Sequence, residues 1–292
     1  MSGKDWIKFT ALGLIWGSSF LWIKIAVQEI GPFTLVTFRV IFALLGILLV
    51  VAYRRSGLPS REKWWIFLLL GLFNVAVPFV LISWAETRIP SGVASILNST
   101  IPLFTILIAP LFIKEEKITL GRLLGLGVGF LGVIVLMSNQ MEGGIGGYQL
   151  GLVAMLAATF FYASSAVFAR TKTGGMTPEV QSLGQMMAAW FFITPVSAIV
   201  ESPLTPPALT YTWIAVAWLG ILGSCVATLL YYSLLNSVGP TRTVLVSYVF
   251  PLVGVLLGIF VLHEQADWRL ILGGGLIIGG IVVVNRRKTN GS

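Results

Sequence analysis

The side chain best equipped for chemistry in this chain is Arg39, set in the run PFTLVTFRVIFALLGILLVV, where no other residue is charged. A guanidinium presents a planar fork of N–H donors and can hold a carboxylate or phosphate through two parallel hydrogen bonds. Inside an apolar span it is costly and usually faces a partner or a wet cavity. The chemistry on offer is recognition of an anionic group. The competing reading is a structural pair with Glu86, a bond to backbone carbonyls, or snorkelling to an interface.

A second set of residues is aromatic: Trp16, Trp84, Tyr162, Tyr231 and Tyr232. Each offers an apolar ring and one polar atom, which suits an apolar or aromatic solute. Trp64, Trp65, Trp213 and Trp268 fall at the ends of apolar runs and read as an interfacial belt. A third set surrounds Pro102 and Pro251. Proline lacks an N–H and clashes with the carbonyl four residues earlier, which kinks a helix. The freed carbonyls belong to Asn98 and Ser247. In lipid such a carbonyl must find protein, water or ligand. Asn98, Ser247 and the adjacent Tyr248 are therefore expected to face a cavity, with Pro102 and Pro251 as gating kinks. The alternative is a kink packed against another helix and satisfied by a Ser or Thr.

Other chemistry is missing from the pattern. No Ser-His-Asp set, His/Cys ligand cluster or nucleotide-binding loop is visible, so no catalytic residue, metal or cofactor is expected, and no enzyme. The two aspartates, Asp5 and Asp267, stand at span ends, and the nine glutamates lie in loops or at span margins, Glu86 deepest. Proton-driven carriers often place a carboxylate within the membrane, so this scarcity leans toward facilitated diffusion or another coupling ion. His263 reads as an interfacial cap, and the lone Cys225 allows no intrachain disulfide.

The elements that must position these residues follow from composition. Of 292 residues, 57% are hydrophobic and 10% charged, against about 45–50% and about 25% in a soluble domain. That excludes an ordinary water-soluble enzyme, and also disorder, which needs low hydrophobicity and high charge. A spanning helix takes about 20 apolar residues. Apolar runs fall near 6–26, 33–53, 64–84, 92–113, 120–138, 147–168, 180–200, 211–234, 239–262 and 268–284. All ten are expected to be helices, because an open strand leaves backbone groups unpaired in lipid. The first run is too long for a signal-peptide core and ends at Lys24 rather than at a small-residue cleavage site. Arg39 then lies about six residues into the second helix, roughly 9 Å along its axis.

Orientation follows from the cations. With the N-terminus inside, the inner segments hold Lys4, Lys8, Arg54, Arg55, Arg61, Lys63, Lys114, Lys117, Arg122, Arg170, Lys172, Arg242, Arg286, Arg287 and Lys288. The outer segments hold only Lys24, Arg88 and Arg269. Lys and Arg favour cytoplasmic loops, so both termini are expected in the cytoplasm. The net charge of +8 is thereby topology rather than a nucleic-acid footprint.

The chain also repeats. At an offset of 146, Trp16-Gly17-Ser18-Ser19 falls on Tyr162-Ala163-Ser164-Ser165, Lys24 on Arg170, Pro32 on Pro178 and Arg39 on Gln185. At 149, Gly71 falls on Gly220, Pro102 on Pro251 and Glu115 on Glu264. These marks predict five-helix repeats at 1–138 and 147–285, a linker at 139–146 and a basic tail at 286–292. Five is odd, so the second repeat enters the membrane inverted, an arrangement common in secondary transporters with midplane sites. A duplicated scaffold without transport is the alternative. The rows Gly121, Gly125, Gly129 and Gly275, Gly279 mark the fifth and tenth helices for close packing, within one subunit or across a dimer.

The chain resembles the EamA branch of the drug/metabolite transporter superfamily. The residues that carry the resemblance are LIWGSSF with Lys24, the Pro32 to Arg39 segment, ASILNSTIPL from Ala94 to Leu103, and Lys114-Glu115-Glu116, answered by Pro251-Leu252 and His263-Glu264. It covers almost the whole chain. It implies an all-α, ten-helix carrier with a central cavity that exports or exchanges small metabolites. The small multidrug-resistance branch has a carboxylate in its first helix, which the run 6–26 lacks. The expected protein is a multi-pass carrier of the cell (inner) membrane, a monomer or weak homodimer, with a small-molecule substrate, the bilayer as partner and no nucleic acid. Amino acids or related compounds suit Arg39 and the aromatic residues. Nucleobases, phosphorylated sugars, hydrophobic drugs, a lipid flippase or a scaffold remain open. The expected substrate residues are Trp16, Arg39, Trp84, Asn98, Tyr162, Tyr231, Ser247 and Tyr248.

Overall fold

The computed structural model describes residues 2–57, 61–113, 119–138, 146–201, 206–238 and 243–285. Lys114 to Lys117, most of the linker at 139–146, Arg242 and the tail with Arg286, Arg287 and Lys288 lie outside the described residues. Every described element is a helix. In chain order these are α1 (Gly3–Ala26), α2 (Pro32–Arg54), α3 (Trp64–Glu86), α4 (Ser91–Phe112), α5 (Leu120–Met137), α6 (Gly147–Lys172) and α7 (Pro178–Val200). α8 runs through Thr210–Ala217, Trp218–Val226 and Ala227–Val238, α9 through Val244–Tyr248 and Val249–Leu262, and α10 is Trp268–Asn285. Among the described residues, eight helices, α1 to α8, are long and apolar enough to cross a membrane, and the apolar parts of α9 (Val246–Leu262) and α10 (Trp268–Val283) are shorter.

Local chemistry sets the ends. Ser2 and Asp5 form a reciprocal capping box at the start of α1. Pro32 and Pro178 open α2 and α7, where a missing N–H costs nothing. Four helices are irregular inside. α4 breaks at 99–100, where the Ser99 and Thr100 amides bond back three residues to Ile96 and Leu97 before the helix restarts ahead of Pro102. α9 begins as a 3₁₀ turn, Val244–Tyr248, just before Pro251. α3 and α8 each widen into a π-helical stretch, Gly71–Ala76 and Trp218–Val226. Pro78 explains the first, because its ring would meet the Asn74 carbonyl four residues earlier. In the second, the Ser224 hydroxyl inserts into the ladder and donates to the Leu219 carbonyl, 2.9 Å.

The helices of the first half of the chain pack mainly on those of the second. α3 lies on α7 and α8 on α2; α1 lies on α9 and α6 on α4; α2 pairs with α7, α4 with α9 and α5 with α10. Glycines permit the tightest of these approaches. A Cβ on Gly71 would sit 2.7 Å from the Gln185 carbonyl of α7, and one on Gly220 would sit 2.7 Å from the Arg39 carbonyl of α2. The α5–α10 contact runs along Gly125, Gly129, Gly132, Gly273 and Gly280, where a Cβ on Gly132 would lie 2.5 Å from the Gly273 carbonyl. The predicted rows thus need correction: a Cβ on Gly121, Gly275 or Gly279 would meet nothing within 4 Å. Gly125 and Gly129 of the predicted rows, with Gly132, Gly273 and Gly280, make the close approach, and they do so within one chain.

The loops after α1, α3, α7 and α9 gather at one end of the bundle, tied by bonds described below. The other end is tied by Arg54 to Glu179, 2.5 Å, Lys8 to Ser233, 2.7 Å, and Ser237 to Asp5, 2.9 Å.

Candidate functional site

The π stretch of α8 is the point on which the most polar side chains converge. Arg39, 6% exposed, reaches it from α2 and donates its Nε–H to the Ser224 hydroxyl at 3.0 Å. Its guanidinium carbon lies 3.7 Å from the centroid of the Phe79 ring on α3, a cation–π contact in a site shielded from water. Trp16 arrives from α1 and donates its indole N–H to the Gly223 carbonyl at 3.0 Å. π stretches leave backbone groups off the regular ladder and recur at functional sites. Here one such carbonyl is taken by Trp16. A Cβ on Gly223 would stand 3.3 Å from the Ser19 hydroxyl and 3.9 Å from an Arg39 terminal nitrogen, so glycine keeps this corner open. Among the described residues, Ser224 is the guanidinium's one hydrogen-bond partner, and no carboxylate lies within ion-pair distance. A five-donor fork held by one bond and one ring has donors left for a ligand.

The α3 stretch carries a smaller version of the same arrangement. Asn74 donates its side-chain amide to Gln185 of α7 at 3.0 Å. Gln185 is the residue on which Arg39 falls at the sequence offset of 146. Each pair therefore joins a π-helical turn in one half to the second helix of the other. Tyr232 of α8 also lies beside Gln181 on α7.

The predicted residues divide into groups. Trp16 and Tyr231 come together, ring centroids 5.7 Å apart, and Phe250 packs edge-on to Trp16 at 5.6 Å. Tyr162 lies within electrostatic reach of Arg39 and packs between the two largest core clusters. Asn98, Ser247 and Tyr248 lie instead where α4 and α9 cross. There the Ser99 hydroxyl donates to the Ser247 carbonyl at 3.3 Å, so one of the two carbonyls expected to line a cavity is met by a serine of the facing helix. The Asn98 Oδ1 is buried without a partner. Trp84 is apart from both groups, under the Arg88 guanidinium at 3.6 Å near the end of α3.

That end of the bundle is closed by carboxylates placed on helix N-termini, where unpaired amides and the helix dipole favour a negative charge. Glu201 accepts from the Phe33 and Thr34 amides of α2 at 3.1 and 2.7 Å. Glu264 accepts from Ser91 and Gly92 of α4 at 2.6 and 3.0 Å. Glu29 accepts from Ala208 and Leu209 before α8, at 2.5 and 3.0 Å, and from the Thr212 hydroxyl. The Thr212 hydroxyl, with those two amides, holds the Glu29 carboxyl below the usual carboxylate range against a smaller opposing effect of burial. Each cap crosses between the two halves of the chain. Lys24 supplies the opposite pairing, its ammonium on the Glu86 and Ile89 carbonyls at the C-terminus of α3, 2.6 and 2.9 Å. It is thus a helix cap as well as a residue near the surface. A pocket of about 70 Å³ opens here, lined by Pro90, Val93, Tyr148, Glu264, Asp267 and Arg269.

Sequence reasoning missed Ser224, Phe79, Asn74 and Gln185 as a set. The signals available were the equivalence of Arg39 with Gln185, the paired glycines Gly71 and Gly220, and Pro78 four residues after Asn74.

A family model described as the EamA-like transporter family matches residues 6–138 and 149–286. The chain is 30% identical over 283 residues to the "Uncharacterized inner membrane transporter YedA" of Escherichia coli strain K12, covering 95% of this chain and 89% of that protein. It is 27% identical to an "Uncharacterized transporter" of Archaeoglobus fulgidus, covering 98% and 100%, and 28% identical to "Protein PecM" of Dickeya dadantii, covering 92% and 88%. A crystal structure of a protein 23% identical superposes with a TM-score of 0.68 over 97% of this chain and 98% of its own, which speaks for the fold alone.

Proposed function

Because the chain belongs to the EamA-like transporter family, we propose that it is a secondary transporter of the inner membrane that exports or exchanges small metabolites, amino acids or related compounds first among them. The observation that carries this reading is Arg39. A buried guanidinium with one hydrogen bond, a ring face beneath it and unused donors beside a π-helical turn suits a carboxylate group. Trp16, Tyr162 and Tyr231 suit the apolar part of the same molecule. Trp84, Asn98, Ser247 and Tyr248 act on the path or at the crossing of α4 and α9 rather than around Arg39.

The mechanism we infer is alternating access by two inverted five-helix repeats. Its support is the pairing of α3 with α7 and α8 with α2, of α1 with α9 and α6 with α4, and the equivalent irregularities in α3 and α8. The breaks before Pro102 and Pro251 serve as bending points. The cation count favours both termini in the cytoplasm, so the carboxylate-capped end faces outward and this conformation is closed there.

The test is counterflow in proteoliposomes. Vesicles preloaded with unlabelled amino acids are expected to take up labelled amino acid, and Arg39→Gln and Arg39→Lys to lower that uptake at least tenfold, since a point ammonium does not replace a bidentate fork. Uptake unaffected by Arg39→Gln removes Arg39 from the site. No uptake of any amino acid, with uptake of nucleobases or phosphorylated sugars, replaces the substrate class.

A further inference from the structure

Glu86 is the last residue of α3, fully buried at 0% exposure, and both of its carboxyl oxygens lack a hydrogen-bond partner. Every other glutamate whose contacts are described at this end sits on helix N–H groups. An ionised carboxylate withdrawn from water without donors is strongly disfavoured. The charged groups facing it are Lys24 from α1, Glu264 from the turn between α9 and α10, and Arg39 from α2; Tyr162 of α6 faces Arg39 in turn. None is within ion-pair distance of Glu86 among the described residues. Lys24 is held by the backbone carbonyls of Glu86 and Ile89, and Arg39 is directed to Ser224 and the Phe79 ring rather than to Glu86.

We propose that Glu86 is a proton-binding site of the transport cycle: its carboxyl is neutral while it is sealed from water, as in this conformation, and exchanges its proton with water from whichever end of the molecule is open. The proton is taken up from water onto a carboxyl oxygen and released to water from the same oxygen. Glu264 connects the site to closure, because the same side chain that caps α4 is the acidic neighbour of Glu86. With the proton on Glu86, the carboxyl group within electrostatic reach of Arg39 is neutral. An anionic solute group is then favoured at Arg39, so proton and solute move together. This last step rests on the carboxylate-binding reading of Arg39; the proton site itself does not.

Two measurements separate them. Infrared difference spectra of the wild-type protein in lipid are expected to show a carboxylic-acid C=O stretch at neutral pH, shifted in D2O and missing from Glu86→Gln. Its absence from the wild type, or its persistence in Glu86→Gln, overturns the proton site. If Glu86→Gln does not fold, Glu86→Asp makes the assignment by a shifted band, and an unshifted band in Glu86→Asp overturns the proton site. In proteoliposomes containing a pH-sensitive dye, an external amino-acid mixture is expected to acidify the lumen with wild type and not with Glu86→Gln. Amino-acid uptake without acidification overturns the coupling. If no amino acid enters, the substrate reading fails and the infrared band alone decides the proton site.

Discussion

Loosening the carboxylate cap on α4 is expected to open that end of the molecule. Glu264 reaches the Ser91 amide at 2.6 Å and the Gly92 amide at 3.0 Å. Glu264→Gln keeps one acceptor oxygen and turns an amide donor toward an N–H. Hydrogen bonds to charged groups contribute about 1.5–3 kcal/mol and neutral ones about 0.5–1.5 kcal/mol, and the interaction with the helix dipole adds roughly 0.3–1 kcal/mol. Glu264 is half-exposed, so solvent screening brings the net loss to about 1–2 kcal/mol. That shifts the closed-to-open ratio by roughly 5–30-fold. The reporter is Val93→Cys, on the first turn of α4 at 5% exposure, in a Cys225→Ala background. Its rate of labelling by an impermeant maleimide is expected to rise by roughly that factor in Glu264→Gln if the closed state dominates. Glu62→Gln, exposed near the start of α3, is the control. An unchanged labelling rate in a folded Glu264→Gln protein refutes the idea that this cap holds the end shut.

Three further outcomes follow from the packing. Gly132→Val forces a Cβ to within 2.5 Å of the Gly273 carbonyl and 2.8 Å of the Ile277 amide, and is expected to destabilise by at least about 1–3 kcal/mol, whereas Gly127→Ala meets nothing within 4 Å and leaves the melting temperature in detergent unchanged or higher. Trp16→Phe leaves the Gly223 carbonyl without its indole donor and is expected to cost about 1–3 kcal/mol, read by thermal unfolding. Glu29 has a folded-state carboxyl below its ordinary value of 4.5, chiefly through the Thr212 hydroxyl. Its contribution to stability is thus complete above about that value and is lost as pH falls through the lower folded value. A melting-temperature profile in the acid range is expected to fall in wild type and to be flatter in Glu29→Gln.

Much of this molecule was legible before folding. Ten apolar runs mark the helices, because lipid leaves no other solution for the backbone, and the scarcity of charge makes Arg39 conspicuous. Pro102 and Pro251 mark breaks through a missing N–H, a purely local property. The π stretches were less legible: Pro78 signals one, but in α8 the Ser224 hydroxyl does the work, and any serine in a helix could do so. The glycine contact of α5 with α10 was legible in part: Gly125 and Gly129 lie in it, whereas Gly121, Gly275 and Gly279 share the four-residue spacing but not the contact.

By itself the amino-acid sequence determined membrane residence, helical class, family and the isolation of Arg39, all of which follow from local chemistry and composition. Only the tertiary structure decided what Arg39 and Trp16 converge on, that Ser99 meets the Ser247 carbonyl, and that Glu86 stays bare while Glu29, Glu201 and Glu264 find amides. Those outcomes depend on which faces of distant helices meet. A carboxylate's charge state and partners are set by the water and donors around it, and no property of its neighbours along the chain supplies either.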